Sequence, residues 1–421
     1  MKFVGGYLFA VLRTGQPGPT TQRKLSSFVS PPFSKKMAST PRFPPPMPLT
    51  KKALAIHTRR MSSSDDENMQ PLIDVLAQIK HPYPLIDVDC NLLHEDLTSM
   101  LAGSTDQFYN ETNVNLRILH HPSTLASHIC GVFSPSSTIS EAEKLHAILL
   151  ESTSDSRCDI FVRMSVGVHP YHTEEAGDFS EEVEYNTCAR IVALMQADTS
   201  NGSGGYIACI GEAGLDYSEG FPAKDKQLPW FAFQLRLAKA YNLPLFLHER
   251  LAFEDTIAMI DEIFPDKDAC PPIIIHCFTG KKDECKKYIE RGYHISVSGY
   301  ILKSGEGPEE VQACLREGII PIDKLMIETD APYMGFNACR ETFYQVEAEF
   351  NDEFQVLKSK KKKNLIKGMY PNVPSSLPQV FKYTVDLLNE GKRERGEEEI
   401  SAEDAAKAFF DNSVKFFGFH K

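Results

Sequence analysis

No stretch of about 18 apolar residues occurs in the 421-residue chain, so the sequence offers no membrane-spanning helix. None of its ten cysteines stands in a C-x-x-C pair. That argues against a disulfide scaffold and for reduced thiols in a reducing compartment. No G-x-G-x-x-G follows the first apolar run, so the fingerprint of a dinucleotide-binding fold is missing. Acidic residues are absent from positions 1–64, where eleven Lys or Arg stand. The formal charge of −12 therefore leaves about −23 on the remainder. A body that acidic meets nucleic acid only through a local basic patch.

Residues 1–70 are expected to form a disordered basic leader outside the fold. Segments such as "QPGPTTQRKLSSFVSPPFSKK" are rich in Pro, Ser and basic residues and lack hydrophobic periodicity. An acid-free, Ser-rich start resembles an organellar transit peptide, which directs a chain to a mitochondrion or plastid. Phe3 to Leu12 also has the length of a short secretory apolar core. A leader without targeting function leaves an intracellular protein of cytoplasm or nucleus as the expectation.

Residues 80–421 are expected to form one domain. Short β-branched runs alternate there with amphipathic stretches. The candidate strands are "PLIDVDCNL", "NLRILHHP", "IFVRMSVGVHP", "GYIACIGEAGLDY", "LPLFLHER", "PPIIIHCFTG", "YHISVSGYI" and "KLMIETDAPY". Helical patterns such as "EEVEYNTCARIVALMQA", "LPWFAFQLRLAKAYN" and "DECKKYIERG" lie between them, and "AEDAAKAFFDNSVKFFG" closes the chain. Eight strand–helix units over about 250 residues predict an α/β fold of the (β/α)8 or TIM-barrel class. A doubly wound open sheet is the alternative.

Most of these runs end in a residue able to bind metal or phosphate: Asp89, His169, Glu212, His248, His276 and Asp330. In a barrel such ends converge on one face, where active sites form. A single strand-end histidine is more often a satisfied core or loop residue; the constellation carries the argument. Glu212, His248, His276 and Asp330 make a mixed nitrogen and oxygen set suited to a divalent cation. Asp330, just before Ala331-Pro332, is placed to ligate and to take a proton from water. Gly211 and Gly214 flank Glu212 and let backbone approach a ligand closely. Asp216 is expected to support the loop or a neighbouring ligand. Arg250, two residues after His248, is a candidate phosphate clamp.

The segments "GVHPYH", "IGEAGLDY", "LFLHER", "IIIHCFTG" and "IETDAPY" resemble, in order and spacing, the signatures of the TatD-type metal-dependent deoxyribonucleases. The resemblance covers residues 85 to about 417. It implies a barrel hydrolase of the amidohydrolase-like superfamily that cleaves DNA phosphodiester bonds, often from an end, with a divalent metal. It also implies metal ligation by Glu212, His248, His276 and Asp330, and a place for His169 near the scissile phosphate. "YPNVPSSLP" occupies the place of the family's R-N-E-P segment but lacks its Arg and Glu.

Many relatives end the first strand in D-x-H-x-H, whereas this chain has Asp89 and Asn91 at the two histidine positions. Oxygen donors there favour Mg²⁺ or Mn²⁺ over Zn²⁺. The expectation is one tight metal site and a weaker second one, with Asp89 a ligand and Asn91 facing water or phosphate. Met334 to Tyr370 reads as an inserted loop carrying a basic run from Lys358 to Lys367. Lys361 and Lys362 in that run are candidate contacts to the DNA backbone. The expected partner is DNA, with RNA left open. The competing readings are an amide or ester hydrolase on the same scaffold, such as an aminoacyl-tRNA deacylase, and a non-catalytic nucleic-acid-binding module.

Overall fold

The computed structural model describes residues 80–102, 113–152, 160–199 and 205–419. The leader expected over residues 1–70 lies outside them. Apolar runs rich in Ile, Leu and Val form β1 (Leu85–Asp87), β2 (Ile129–Ser134), β3 (Phe161–Val166), β4 (Ile207–Asp216), β5 (Leu245–Arg250), β6 (Ile273–Ile275), β7 (His294–Val297) and β8 (Leu325–Ile327). All neighbours pair in parallel, in the order β1 to β8. The seam is bridged by Val88 N–H to Ile327 O (3.3 Å), Asp330 N–H to Asp89 O (2.9 Å) and Asn91 N–H to Ala331 O (2.8 Å). The fold is a (β/α)8 barrel.

The second strand is not the expected one. "NLRILHHP" forms short helical turns, Arg117–His120 and Pro122–Ala126, the latter opened by Pro122. The strand is "ICGVFS", which begins at Ile129, seven residues after Pro122.

The helices that matter here are α1 (Glu95–Ser99), α2 (Ile139–Ser152), α3 (Glu181–Thr199), α4 (Lys224–Tyr241), α5 (Phe253–Ile263), α6 (Lys282–Glu290), α7 (Glu306–Arg316), α8 (Glu341–Phe350), α9 (Ser359–Lys367), α10 (Leu377–Arg395) and α11 (Ala402–Phe417). The 334–370 stretch, expected as a loop, is mostly helical. Phe343 and Val346, three apart on α8, are both fully buried. Glu347 Oε1 of α8 pairs with His121 Nε2 at 3.0 Å, and the His121 ring stacks on Phe343. The lysine run forms α9, none of whose side chains is buried.

Strand periodicity sorts the core. Outward residues such as Leu245, Leu247, Ile273, Ile275, Leu325 and Ile327 pack under the helices. Inward residues Ile86, Phe133, Cys209, Phe246, Ile274 and Met326 fill the lumen. They meet Phe416, Phe417 and Phe419 from the end of α11, with the Phe417 ring 4.3 Å from Phe133 between centroids. Two residues after each of Phe246, Ile274 and Met326, on the same face, come His248, His276 and Glu328. An apolar floor therefore carries a polar roof.

His294 opens β7 with its ring edge against Phe416. Burial, with help from Lys324 and Lys415, pushes its pKa down from 6.5 to about 4. Below pH 6.5 the unfolded chain takes up a proton that the folded chain refuses, so stability is lost as pH falls from 6.5 to about 4. His294→Gln should narrow that loss, by at most about 3 kcal/mol. Urea midpoints of both proteins at pH 7 and at pH 4.5 would show it; equal drops would refute the assignment.

Candidate active site at the barrel mouth

β4 departs from regular pairing where the site begins. Its register against β5 shifts between Ile210 and Ala213, which turns Glu212 into the lumen. Gly211 (φ 149°) and Gly214 (φ 148°) have positive φ, and a Cβ on either would strike the backbone carbonyl of Phe246 or His248. These glycines thus allow β4 to approach β5. The close contact is with a neighbouring strand, where a ligand had been expected.

Glu212 Oε1 lies 2.7 Å from His276 Nε2, 3.2 Å from His248 Nδ1 and 3.3 Å from His169 Nε2. The ring orientations follow from their other nitrogens. His248 Nε2–H donates to Asp216 Oδ2 at 2.8 Å, leaving the Nδ1 lone pair facing Glu212. His169 Nδ1 accepts from the Tyr171 N–H at 3.1 Å, so the neutral ring carries its proton on Nε2, aimed into the mouth. Burial lowers the His169 pKa, which keeps that ring neutral near pH 7. Phe246 stacks under His276 at 4.6 Å and fixes its plane.

A second group stands beside the first. His276 Nδ1 is 2.9 Å from Asp89 Oδ2 and 3.8 Å from Glu328 Oε1. Those three atoms are buried and make no aligned hydrogen bond, despite the short His276–Asp89 distance. Asn91 Nδ2 donates to Asp89 Oδ1 and Asp330 Oδ1, both at 3.4 Å. Asp330 is held at φ 52°. Asp87, the last residue of β1, faces the seam, where it accepts from the Thr329 N–H and hydroxyl at 2.8 and 2.6 Å.

Four buried carboxylates, Asp89, Glu212, Glu328 and Asp330, thus surround imidazoles. Burial pushes Asp89 well above the usual range, reinforced by Asp330 and Glu212. Burial likewise raises Asp330 to about 6, with Glu212 adding to it and His276 opposing. Burial also tends to raise Glu212, but His169 and His276 hold it well below the carboxylate range. His276 runs the other way: burial would lower it, yet Glu212 lifts it to about 9. A proton on His276 occupies the place a cation would take, and metal binding to such a set releases protons. Unpartnered buried donors and converging lone pairs fit a divalent cation. The clustered atoms fall into two groups, His169, Glu212 and His248, and Asp89, His276 and Glu328; with its proton on Nε2, His169 stands in the first as a hydrogen-bond donor, and the lone pairs for an ion come from the others.

The structure brings His169, Glu212, His248, His276, Asp89, Asn91 and Asp330 to one mouth. Arg250 stands exposed on the rim, within electrostatic reach of Tyr300. Lys361 and Lys362 lie on α9 outside the cluster; Lys362 sits over the Phe354 ring at 5.4 Å. Glu328 escaped the sequence reading. Its signal was position: in "LMIETD" it follows Met326 by two and shares its inward face. Cys277, whose side chain bonds Asp330, was also missed.

Fold and site together define a (β/α)8 barrel with an imidazole–carboxylate cluster at its C-terminal mouth. The chain belongs to the TatD related DNase family, whose model matches residues 108–418. β1, with Asp89 and Asn91 just after it, precedes the matched span. The chain is 36% identical over 170 residues to a 3'-5' ssDNA/RNA exonuclease TatD of Cronobacter turicensis, covering 40% of this chain and 57% of that protein. The Escherichia coli K12 protein of the same description is 33% identical over 172 residues, covering 40% and 58%. The chain thus spans somewhat under two thirds of these relatives. Among solved structures, a TatD family hydrolase from Entamoeba histolytica superposes with a TM-score of 0.55 at 21% identity, over 80% of this chain and 98% of that one. An uncharacterized amidohydrolase from Saccharomyces cerevisiae gives 0.56 at 18%, over 80% and 100%. These two likenesses concern the fold. No helix among the described residues is long and apolar enough to cross a membrane.

Proposed function

We propose that the chain is a divalent-metal-dependent nuclease that hydrolyses DNA phosphodiester bonds with exonuclease character. The observation that carries this reading is the convergence of Glu212, His248 and His276 beside the unpartnered atoms of Asp89, His276 and Glu328. The exonuclease names of the bacterial relatives support the choice of substrate. Glu212, His248, His276 and Asp330 would hold the tighter ion; Asp89 with Glu328 would hold a weaker second. The excess of carboxylates favours Mg²⁺ or Mn²⁺, and the imidazoles admit Zn²⁺. A bound divalent cation supplies Lewis-acid stabilisation of phosphoryl oxygens and lowers the pKa of a water.

The chain's own groups do the rest. Asp330 accepts the proton of the attacking water. His169 Nε2–H donates to a phosphoryl oxygen as charge develops there, and Arg250 adds a fixed positive charge from the rim. Asn91 orients Asp330 through its amide. Lys361 and Lys362 would meet the phosphate backbone away from the scissile bond, which makes binding salt-dependent.

The test is a fluorescently labelled single-stranded oligonucleotide incubated with Mg²⁺ or Mn²⁺ and, in parallel, with EDTA. Stepwise shortening only with metal is the expected result. An intact oligonucleotide under every metal condition would overturn the proposal, and hydrolysis of amide or ester substrates instead would favour the rival enzyme class.

A further inference from the structure

Large apolar side chains are exposed together at one point of the barrel rim. Tyr333, three residues after Asp330, is 46% exposed, and Met369 and Tyr370 are 53% and 51% exposed. The two tyrosine rings lie 6.3 Å apart between centroids, tilted by 41°. Their hydroxyls are tied down while their faces stay open. His94 Nε2–H donates to Tyr333 Oη at 3.0 Å, and Tyr370 O–H donates to Asp96 Oδ2 at 2.5 Å. Both anchors belong to α1 or its N-cap.

The backbone fixes the pair as well. Asn372 donates its N–H to Pro332 O at 2.7 Å and its side-chain amide to Thr329 O at 2.9 Å, so the segment after α9 is held against the segment carrying Asp330. Arg340 reaches Tyr370 O at 3.0 Å from the other side. Tyr370 opens the stretch "YPNVPSSLP", which occupies the place of the family's R-N-E-P segment and lacks its Arg and Glu.

The chemistry of the rings decides what they would accept. Their hydroxyls are engaged by His94 and Asp96, so what they offer outward is an uncharged aromatic face. Two pre-oriented phenol faces are suited to stack on a flat, polarisable group. A duplex end keeps its bases stacked on each other, whereas a single strand offers a free base face.

Resting on the nuclease reading above, we propose that Tyr333 and Tyr370 form a stacking platform for an unpaired nucleobase next to the scissile phosphate, and thereby select single-stranded substrate. The tyrosines hold the base over the rim while the phosphate on its sugar reaches Asp330 and His169. They are positioning residues and take no part in proton transfer.

The test uses the full chain in Ca²⁺, with a short single strand carrying 2-aminopurine near its end and a matched strand with an abasic unit there. Binding is read by anisotropy, stacking by quenching of the 2-aminopurine. The unmodified protein should bind the base-bearing strand about tenfold more tightly than the abasic one, with quenching on binding. Tyr333→Ala and Tyr370→Ala should each bring that ratio close to one, chiefly by weakening the base-bearing strand. Tyr333→Phe and Tyr370→Phe keep the rings and should keep most of the ratio, which separates stacking from a general loss of structure. Equal binding of both strands by the unmodified protein, or an unchanged ratio in the alanine variants, would overturn the platform. Failure of the nuclease reading shows separately, as absence of cleavage in Mg²⁺ or Mn²⁺.

Discussion

Glu212→Gln should lower kcat/KM on single-stranded DNA by about a thousandfold or more while the barrel stays folded. Glu212 Oε1 lies within 3.3 Å of ring nitrogens of His169, His248 and His276, so its charge serves both candidate ligand groups. A catalytic metal is worth several kcal/mol in the transition state, and each 1.4 kcal/mol or so is a factor of ten. The amide keeps the shape but halves the acceptor capacity and removes the charge. Calorimetric titration with Mn²⁺ should show weakened binding in the same variant, with circular dichroism unchanged. If the variant cleaved at more than a tenth of the parent rate in saturating Mg²⁺, Glu212 would not belong to the catalytic centre.

The second large effect concerns Asp330. Asp330→Asn should reduce kcat by a factor of roughly 10² to 10⁴, the range for losing a general base. Metal affinity should fall far less. Asparagine tolerates the φ of 52° found at this residue, so the backbone has no reason to move. Single-turnover cleavage at increasing Mn²⁺ distinguishes the roles. Recovery of the full rate at high metal would make Asp330 a ligand only, and the proton would need another acceptor.

What could be read from the sequence depended on how local the determinant was. Parallel strands buried on both faces are near-continuous apolar runs, and seven of the eight announced themselves in that way. The second did not. "NLRILHHP" is apolar enough for a strand, but its Leu and Arg favour helix and Pro122 starts one; "ICGVFS" is interrupted by Gly131. α8 is short, and only Phe343 and Val346, three apart, mark the apolar face that packs inward, too few positions to set a helical period beside the lysine run of α9. Glu328 was legible in principle from alternation with Met326. The pairing of Asp87 with Thr329 was not, because it joins the first strand to the last across 242 positions. The same limit applies to Tyr333 and Tyr370, which only the closed barrel sets side by side.

The phenylalanines of α11 have a consequence for traffic. With Phe417 wedged against Phe133 and Phe246, the barrel is a cup and not a tunnel. On the proposed function, a strand end enters by the mouth and the released nucleotide leaves by the same opening. The shortened strand must back away before the next bond can reach Asp330. Digestion should then proceed by repeated re-engagement, with free mononucleotide competing for the vacated cup.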